Sequence, residues 1–160
     1  MFRLYEIKNK TNMQTFTIYN PNMKPDEAEK EKIVNFLFEH LDEYGDPKED
    51  IRKSLDFAVH DLIPSLGGFV LLLKEEGEIL GATIVNKTGM SGYIPENILV
   101  YIAVDGKKRG QGIGKKIMNK ALEMTEGSVA LHVEPNNPAK YLYEKTGFTS
   151  KYLEMRYTKG

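Results

Sequence analysis

The sequence predicts one α/β domain with a mixed sheet and helices on both faces. Three observations predict it. Two amphipathic helical stretches follow a short strand-like run, two apolar runs flank a polar turn, and a strand–helix–strand unit then spans residues 98–133. A chain of 160 residues suits a single core, and 41% hydrophobic with 28% charged residues is ordinary for a globular domain.

The elements follow in order. Residues 2–8 and 14–19 read as short strands, with Phe16 and Ile18 alternating with threonines in the second. From about Pro25 to Tyr44, the residues Ile33, Val34, Leu37, Leu41 and Tyr44 fall on one helical face. Asp46-Pro47-Lys48-Glu49 predicts the next helix start, with Asp46 as N-cap and Pro47 at the first position. Ile51, Leu55, Ala58, Val59 and Leu62 form its apolar stripe, and Pro64 stops it. The runs 69–73 and 79–85 make a hairpin around Glu75-Glu76-Gly77-Glu78. Residues 86–97 form a glycine-containing loop, and Ile98 to Val104 is a strand almost free of polar residues.

A helix from Gln111 to about Thr125 carries Ile113, Ile117, Ala121 and Leu122 at helical spacing. Ser128 to Val133 reads as a strand parallel to 98–104, since a helical crossover joins them. Asn137-Pro138 opens a last helix, Gly147 ends it, and Phe148 to Tyr157 reads as a final pair of strands.

Composition narrows the function. The formal net charge of −1 provides no global field toward nucleic acid or membrane, so neither is an expected partner. With no cysteine, disulfides and thiolate metal sites are excluded. His40, His60 and His132 share no ligand spacing, and no metal is expected. The first residues lack the apolar core of a signal peptide, and no apolar run approaches the ~18 residues of a membrane span. A cytoplasmic location is expected.

The most informative stretch is Arg109-Gly110-Gln111-Gly112-Ile113-Gly114, between a strand and a helix. A helix N-terminus offers unpaired N–H groups and partial positive charge, which favour phosphates. Lys107, Lys108, Lys115, Lys116 and Lys120 surround it against Asp105 alone. Each feature has a plainer reading: lysines on a solvated face, glycines for close helix–strand packing. Two common phosphate patterns fail. The dinucleotide motif needs glycine at its sixth position, where Lys115 or Ile117 stands; the P-loop fails at Arg109 and at Lys116, where a hydroxyl is required.

A third pattern fits. Arg109 to Gly114 matches Arg/Gln-x-x-Gly-x-Gly/Ala, and Asn136 to Phe148 matches Asn-x-x-Ala-x-x-Leu-Tyr-x-x-x-Gly-Phe at every position. With Ile102-Ala103-Val104-Asp105 before them, these blocks resemble the GNAT superfamily of N-acetyltransferases over residues 98–157; over 1–97 only the order of elements does. The resemblance implies a mixed, mostly antiparallel sheet whose parallel strand pair splays apart. It implies acetyl-CoA as co-substrate and a primary amine as acceptor.

By the same resemblance, Arg109, Gly110, Gln111, Gly112, Ile113, Gly114 and Lys115 would hold the pyrophosphate. Ile102, Ala103, Val104, Asn136 and Ala139 would line the pantetheine arm. The Val104 N–H would stabilise the oxyanion, and Tyr143 would protonate the departing thiolate. Tyr143 as a plain core aromatic and Asn136 as a turn residue remain open alternatives.

Strand 98–104 has no carboxylate, so the base is open: Glu96, with Tyr93 and Tyr101 nearby, or water. Glu39, Asp42, Glu43, Asp46, Glu49 and Asp50 against Lys48 read either as solvated helix ends or as an acidic rim for a cationic small-molecule or peptide amine. A second copy of the chain is a further expected partner. The competing functions are a non-catalytic acyl-CoA-binding or sensory module and another phosphate-ligand enzyme.

Overall fold

The computed structural model describes residues 13–160. The strand expected over 2–8 lies outside the described residues. Nine elements follow: β1 (Gln14–Tyr19), α1 (Glu27–Leu41), α2 (Lys48–Ala58), β2 (Gly68–Glu75), β3 (Glu78–Lys87), β4 (Asn97–Val104), α3 (Ile113–Met124), β5 (Val129–Leu131) and α4 (Ala139–Lys145). The strands form one sheet in chain order, β1-β2-β3-β4-β5. All neighbours are antiparallel except β4 and β5, which are parallel. The mixed, mostly antiparallel fold class expected from the sequence is therefore the one formed.

Side-chain alternation along the strands builds two cores, one on each face. Val70, Leu72, Ala82 and Ile84 meet Ile33, Leu37, Ile51 and Leu55 of α1 and α2. Leu71, Leu73, Val85 and Leu99 meet Ile113, Ile117 and Met118 of α3, with Tyr143 of α4. Helix α1 begins where the Asp26 carboxylate accepts the Glu29 N–H at 2.8 Å. Helix α3 lies so close to the sheet that a Cβ on Gly81 would come within 2.2 Å of Ile117 Cδ1.

One irregularity shapes the sheet. Ile84 pairs with Tyr101 and Val85 with Leu99, so Val100 is an extra residue on β4. Such a bulge bends its strand. Pairing with β5 covers only Asn97, Ile98 and Leu99, against Val129, Ala130 and Leu131. From Val100 onward β4 has left β5.

Helix α2 ends at Ala58, so Leu62, 41% exposed, lies outside its stripe, and four further sequence expectations need correction. Asp46 does not cap α2: Pro47 holds the N-cap position with no side-chain cap, and the Asp46 carboxylate accepts from the Tyr101 hydroxyl instead. Helix α3 starts at Ile113, because left-handed Gly110 and Gly112 cannot continue helical dihedrals. Strand β5 has three residues, since β4 turns away beyond Leu99. The final pair of strands does not form. Leu153, Met155 and Tyr157 alternate as in a strand, yet they are 88, 89 and 88% exposed. An alternating run becomes a strand only where an edge receives it.

A charged cluster joins α1 to the end of α2. The Lys30 side chain is 4% exposed, and its ammonium contacts the carboxylates of Asp56 and Asp61. Lys24 and Lys30 hold the Asp61 carboxyl down to about 2 from its ordinary 3.8. The folded value is depressed, so this stabilisation is present above pH 3.8 and is lost as pH falls through about 2. Thermal melts of Asp61→Asn are expected to show a shallower loss of Tm below about pH 5 than those of the parent chain. Lys30→Met is expected to destabilise at neutral pH by less than the ~3–5 kcal/mol of a fully buried pair, because both aspartates touch water.

Candidate active site

The divergence of β4 from β5 leaves backbone groups facing a gap. The Asp105 N–H donates to the Leu80 carbonyl of the β3 side at 2.8 Å. With Val104 opposite Gly81, this bond makes theirs a non-hydrogen-bonded pair. The N–H and C=O of Val104, and two residues earlier of Ile102, therefore point away from β3. Strand β5 does not reach them. Ala103 differs: it faces Ala82 as a hydrogen-bonded pair, and its side chain enters the first core.

At the end of β4 the chain enters the glycine run. Gly110 and Gly112 have φ of 81° and 76°, and a Cβ on either would meet nothing within 4 Å. Their glycines serve backbone conformation, not packing. Gly114 is the reverse: a Cβ there would lie 3.0 Å from Leu142 Cδ2 and 3.6 Å from Val104 Cγ2. It brings α3, α4 and the end of β4 together.

No side chain caps α3, and its first helical bond runs from the Lys116 N–H to the Gly112 carbonyl at 3.0 Å. The N–H groups before Lys116 have no intrahelical partner, and Arg109 to Gly112 are exposed. Free N–H groups at an uncapped helix N-terminus are chemically suited to an anion.

The loop is braced from α1. The Gly106 N–H donates to His40 Nδ1, and Arg109 Nη2 donates to the His40 carbonyl, each at 3.1 Å. The basic residues divide. Lys115 is exposed on the first turn of α3, whereas Lys116 turns to β1, donating to Gln14 Oε1 at 2.9 Å above the Phe16 ring.

Helix α4 holds Tyr143. The Asn137 side chain accepts the Ala139 N–H at 2.9 Å and starts the helix. Its end is a Schellman motif: the Phe148 N–H donates to the Tyr143 carbonyl at 2.9 Å and the Gly147 N–H to the Glu144 carbonyl at 3.1 Å, with Gly147 at φ 104°. The Phe148 ring meets the Tyr143 ring edge-on at 6.1 Å. Tyr143 is 8% exposed, and burial pushes its phenol up to about 12. Ala139 and Leu142 pack on the second core beside it. Asn136 is exposed before α4, and its carbonyl accepts from the Tyr44 hydroxyl at 3.2 Å.

Residues 67–150 match the profile described as an acetyltransferase (GNAT) domain, slightly more than half of the chain. The chain belongs to the GNAT acetyltransferase family. The 5-NmdU N-acetyltransferase of Pseudomonas phage PaMx11 is 30% identical over 84 residues, which are 51% of this chain and 58% of that protein. The match thus spans little more than half the length of that curated relative. Among solved structures, an aminoglycoside N-acetyltransferase in complex with CoA superimposes with a TM-score of 0.65 at 12% identity, covering 93% of this chain and 97% of the other. An aminoglycoside acetyltransferase from an uncultured soil metagenomic sample, in complex with sisomicin, gives 0.61 at 18% identity, with 93% and 98% covered. The ribosomal-protein-alanine N-acetyltransferase of Brucella melitensis biovar Abortus 2308 gives 0.58 at 16% identity, with 92% and 100% covered. At these identities the structures share the fold.

Within this GNAT domain most residues singled out by sequence converge. Ile102, Val104, Ala139 and Tyr143 share the second core, and Gly114 of the loop that ends in α3 lies beside Val104 and Leu142. Glu96 does not join them. It precedes the first residue of β4, eight residues or about 26 Å of extended chain from Val104. Its carboxylate accepts the Ser128 N–H at 2.6 Å, and that bond lowers its pKa. Glu96 secures the entry to β5.

Sequence reasoning missed the contact between Asp46 and Tyr101. The two are far apart in the chain, and Asp46 had a local helix-capping role to suggest. Gly112→Ala tests the loop's conformational demand. It is expected to cost about 1–2 kcal/mol in chemical denaturation, from left-handed strain alone, since the added methyl meets open space.

Proposed function

We propose that this chain transfers an acetyl group from acetyl-CoA to a primary amine by direct attack. The observation that carries the reading is the uncapped α3 N-terminus beside a β4 edge that β5 has released. The N–H groups of 110–114, with Arg109 and Lys115, receive the pyrophosphate. Freed groups of Ile102 and Val104 pair with the pantetheine arm, with Asn136 and Ala139 along its path. The Val104 N–H faces the thioester oxygen and stabilises its developing charge.

Attack by the amine nitrogen forms the amide bond and breaks the C–S bond. The sulfur takes the Tyr143 proton, and the phenol is reprotonated from solvent. Burial keeps the phenol protonated, with a pKa pushed up to about 12, so Tyr143 reaches the thiolate carrying its proton. Glu96 is replaced in this reading, since its carboxylate is engaged at the other end of β4.

The acceptor is a small-molecule or peptide amine, and a cationic one suits the acidic stretch from Glu39 to Asp50. The named relatives act on chemically unlike substrates, so the family alone does not choose. The described helices include none long and apolar enough to cross a membrane, and the proposed location is cytoplasmic.

A panel of neutral and cationic amines, read by released CoA thiol, tests this reading. The parent chain is expected to turn over cationic amines, and Tyr143→Phe is expected to lower kcat by about 10²-fold or more with acetyl-CoA affinity within about twofold. Acetyl-CoA binding with no turnover on any amine would instead support a binding module.

A homodimer is also proposed. The exposed alternating residues Leu153, Met155 and Tyr157, with Tyr152, suit the outer edge of β5 in a second copy. Two such exchanges would bury on the order of 1,200 Å², the lower end of stable interfaces. Sedimentation velocity is expected to show a dimer that Leu153→Asp with Met155→Asp converts to monomer. A monomeric parent chain at about 100 μM would refute it, since that is far above the Kd of a stable specific dimer.

A further inference from the structure

The connection between α1 and α2 crosses the gap between β4 and β5. On one side the Tyr44 hydroxyl donates to the Asn136 carbonyl, in the loop between β5 and α4. On the other the Tyr101 hydroxyl of β4 donates to Asp46 Oδ2. Two residues on either side of Gly45 thus bind opposite banks of one opening.

Tyr101 has a defined place there. Its neighbour Ile102 points its backbone into the gap, while the Tyr101 side chain packs on the core between the sheet and α1 and α2. The hydroxyl therefore stands on the α1–α2 side of the released β4 edge. Its proton is committed to Asp46, so toward the gap it offers lone pairs only. Donation to a carboxylate also strengthens a hydroxyl as acceptor. The phenol is pushed up by burial, then by the bond and charge of Asp46 and by the charge of Asp50, so it holds its proton.

We infer that Tyr101 and Asp46 together receive the acceptor amine and its proton, an inference that rests on the acetyl-transfer reading. The reacting amine is neutral, its extra proton already lost to water, and one N–H donates to Tyr101 Oη, which leaves the nitrogen lone pair free to attack. As the N–C bond forms, the nitrogen gives one proton to Oη while the Tyr101 proton passes to Asp46 Oδ2. The C–S electrons leave with sulfur, which takes the Tyr143 proton. Asp46 is open to water and releases its proton there. One proton leaves the amine and one reaches the thiol, so the transfer balances. Asp50, from α2, and Glu43 and Glu134, beside Tyr44, add negative charge around this side of the opening.

The test compares Asp46→Asn, Tyr101→Phe and the double variant on the best amine of the panel. Asp46→Asn keeps an acceptor for the Tyr101 hydroxyl but removes the carboxylate, and Tyr101→Phe keeps the ring packing. Each single variant is expected to lower kcat at pH 7 by about 10²-fold, within the range of a lost general base. The double variant is expected to fall no further than the worse single, as for groups acting as one unit. Acetyl-CoA affinity by calorimetry should stay within about twofold, and the deficit should shrink toward pH 9.5 as solvent base takes over. A purely structural role would not produce that recovery.

Folded single variants within about threefold of the parent rate at pH 7, with Tyr143→Phe slow, would overturn this inference and leave the acetyl-transfer reading standing. A deficit that does not change with pH would also overturn it. A parent chain that releases no CoA thiol with any amine would overturn both.

Discussion

The departure of β4 from β5 at Val100 governs the rest of the molecule. A parallel pair would normally consume the edge groups of both strands, yet here pairing ends after three residues. The bulge at Val100 bends the strand while its antiparallel bonds to β3 continue to its end. The outward groups of Ile102 and Val104 are then left without a strand partner inside the sheet, between two strands that pair only at their start. Backbone groups away from bulk water need partners, so a gap of this kind is suited to an extended, amide-bearing ligand.

The other parts of the site are arranged around that gap by short-range constraints. Gly114 allows α3 to press against Val104 and Leu142, which sets the helix N-terminus at the end of the gap. Left-handed Gly110 and Gly112 turn the chain into that position. His40 ties the loop to α1 through two hydrogen bonds. The Schellman end of α4 and the Phe148 ring orient Tyr143. None of these contacts is individually large. They act together because each fixes a neighbour of the same opening.

Much of this was legible in the chain because its signals are local. The apolar stripes of α1 and α2, the hairpin around Gly77, and the Asn137 and Gly147 limits of α4 all lie within a few residues of what they control. The block from Asn136 to Phe148 is legible for a physical reason: it encodes a cap, a small packing residue, a tyrosine and a C-terminal turn at fixed helical offsets. Misreadings arose where a residue had a local role available and a distant partner took it. Asp46 is a good N-cap by type, but its carboxylate binds Tyr101. Glu96 is near β4 in sequence, but it binds Ser128 at the far end of the strand. Residues 152–157 alternate like a strand, but the described chain brings no edge to them.

The sequence by itself determined the order of elements, the glycine turn before α3 and the two motif blocks that mark the family. These follow from backbone propensity, side-chain periodicity and spacing, which need no knowledge of distant contacts. Tertiary structure alone decided where β4 parts from β5, which backbone groups face the gap and which polar side chains cross it. A bulge is a mismatch between two strands, and a hydrogen bond between Asp46 and Tyr101 joins a loop to a sheet. Both are properties of pairs brought together by packing, and neither residue of such a pair carries the information alone.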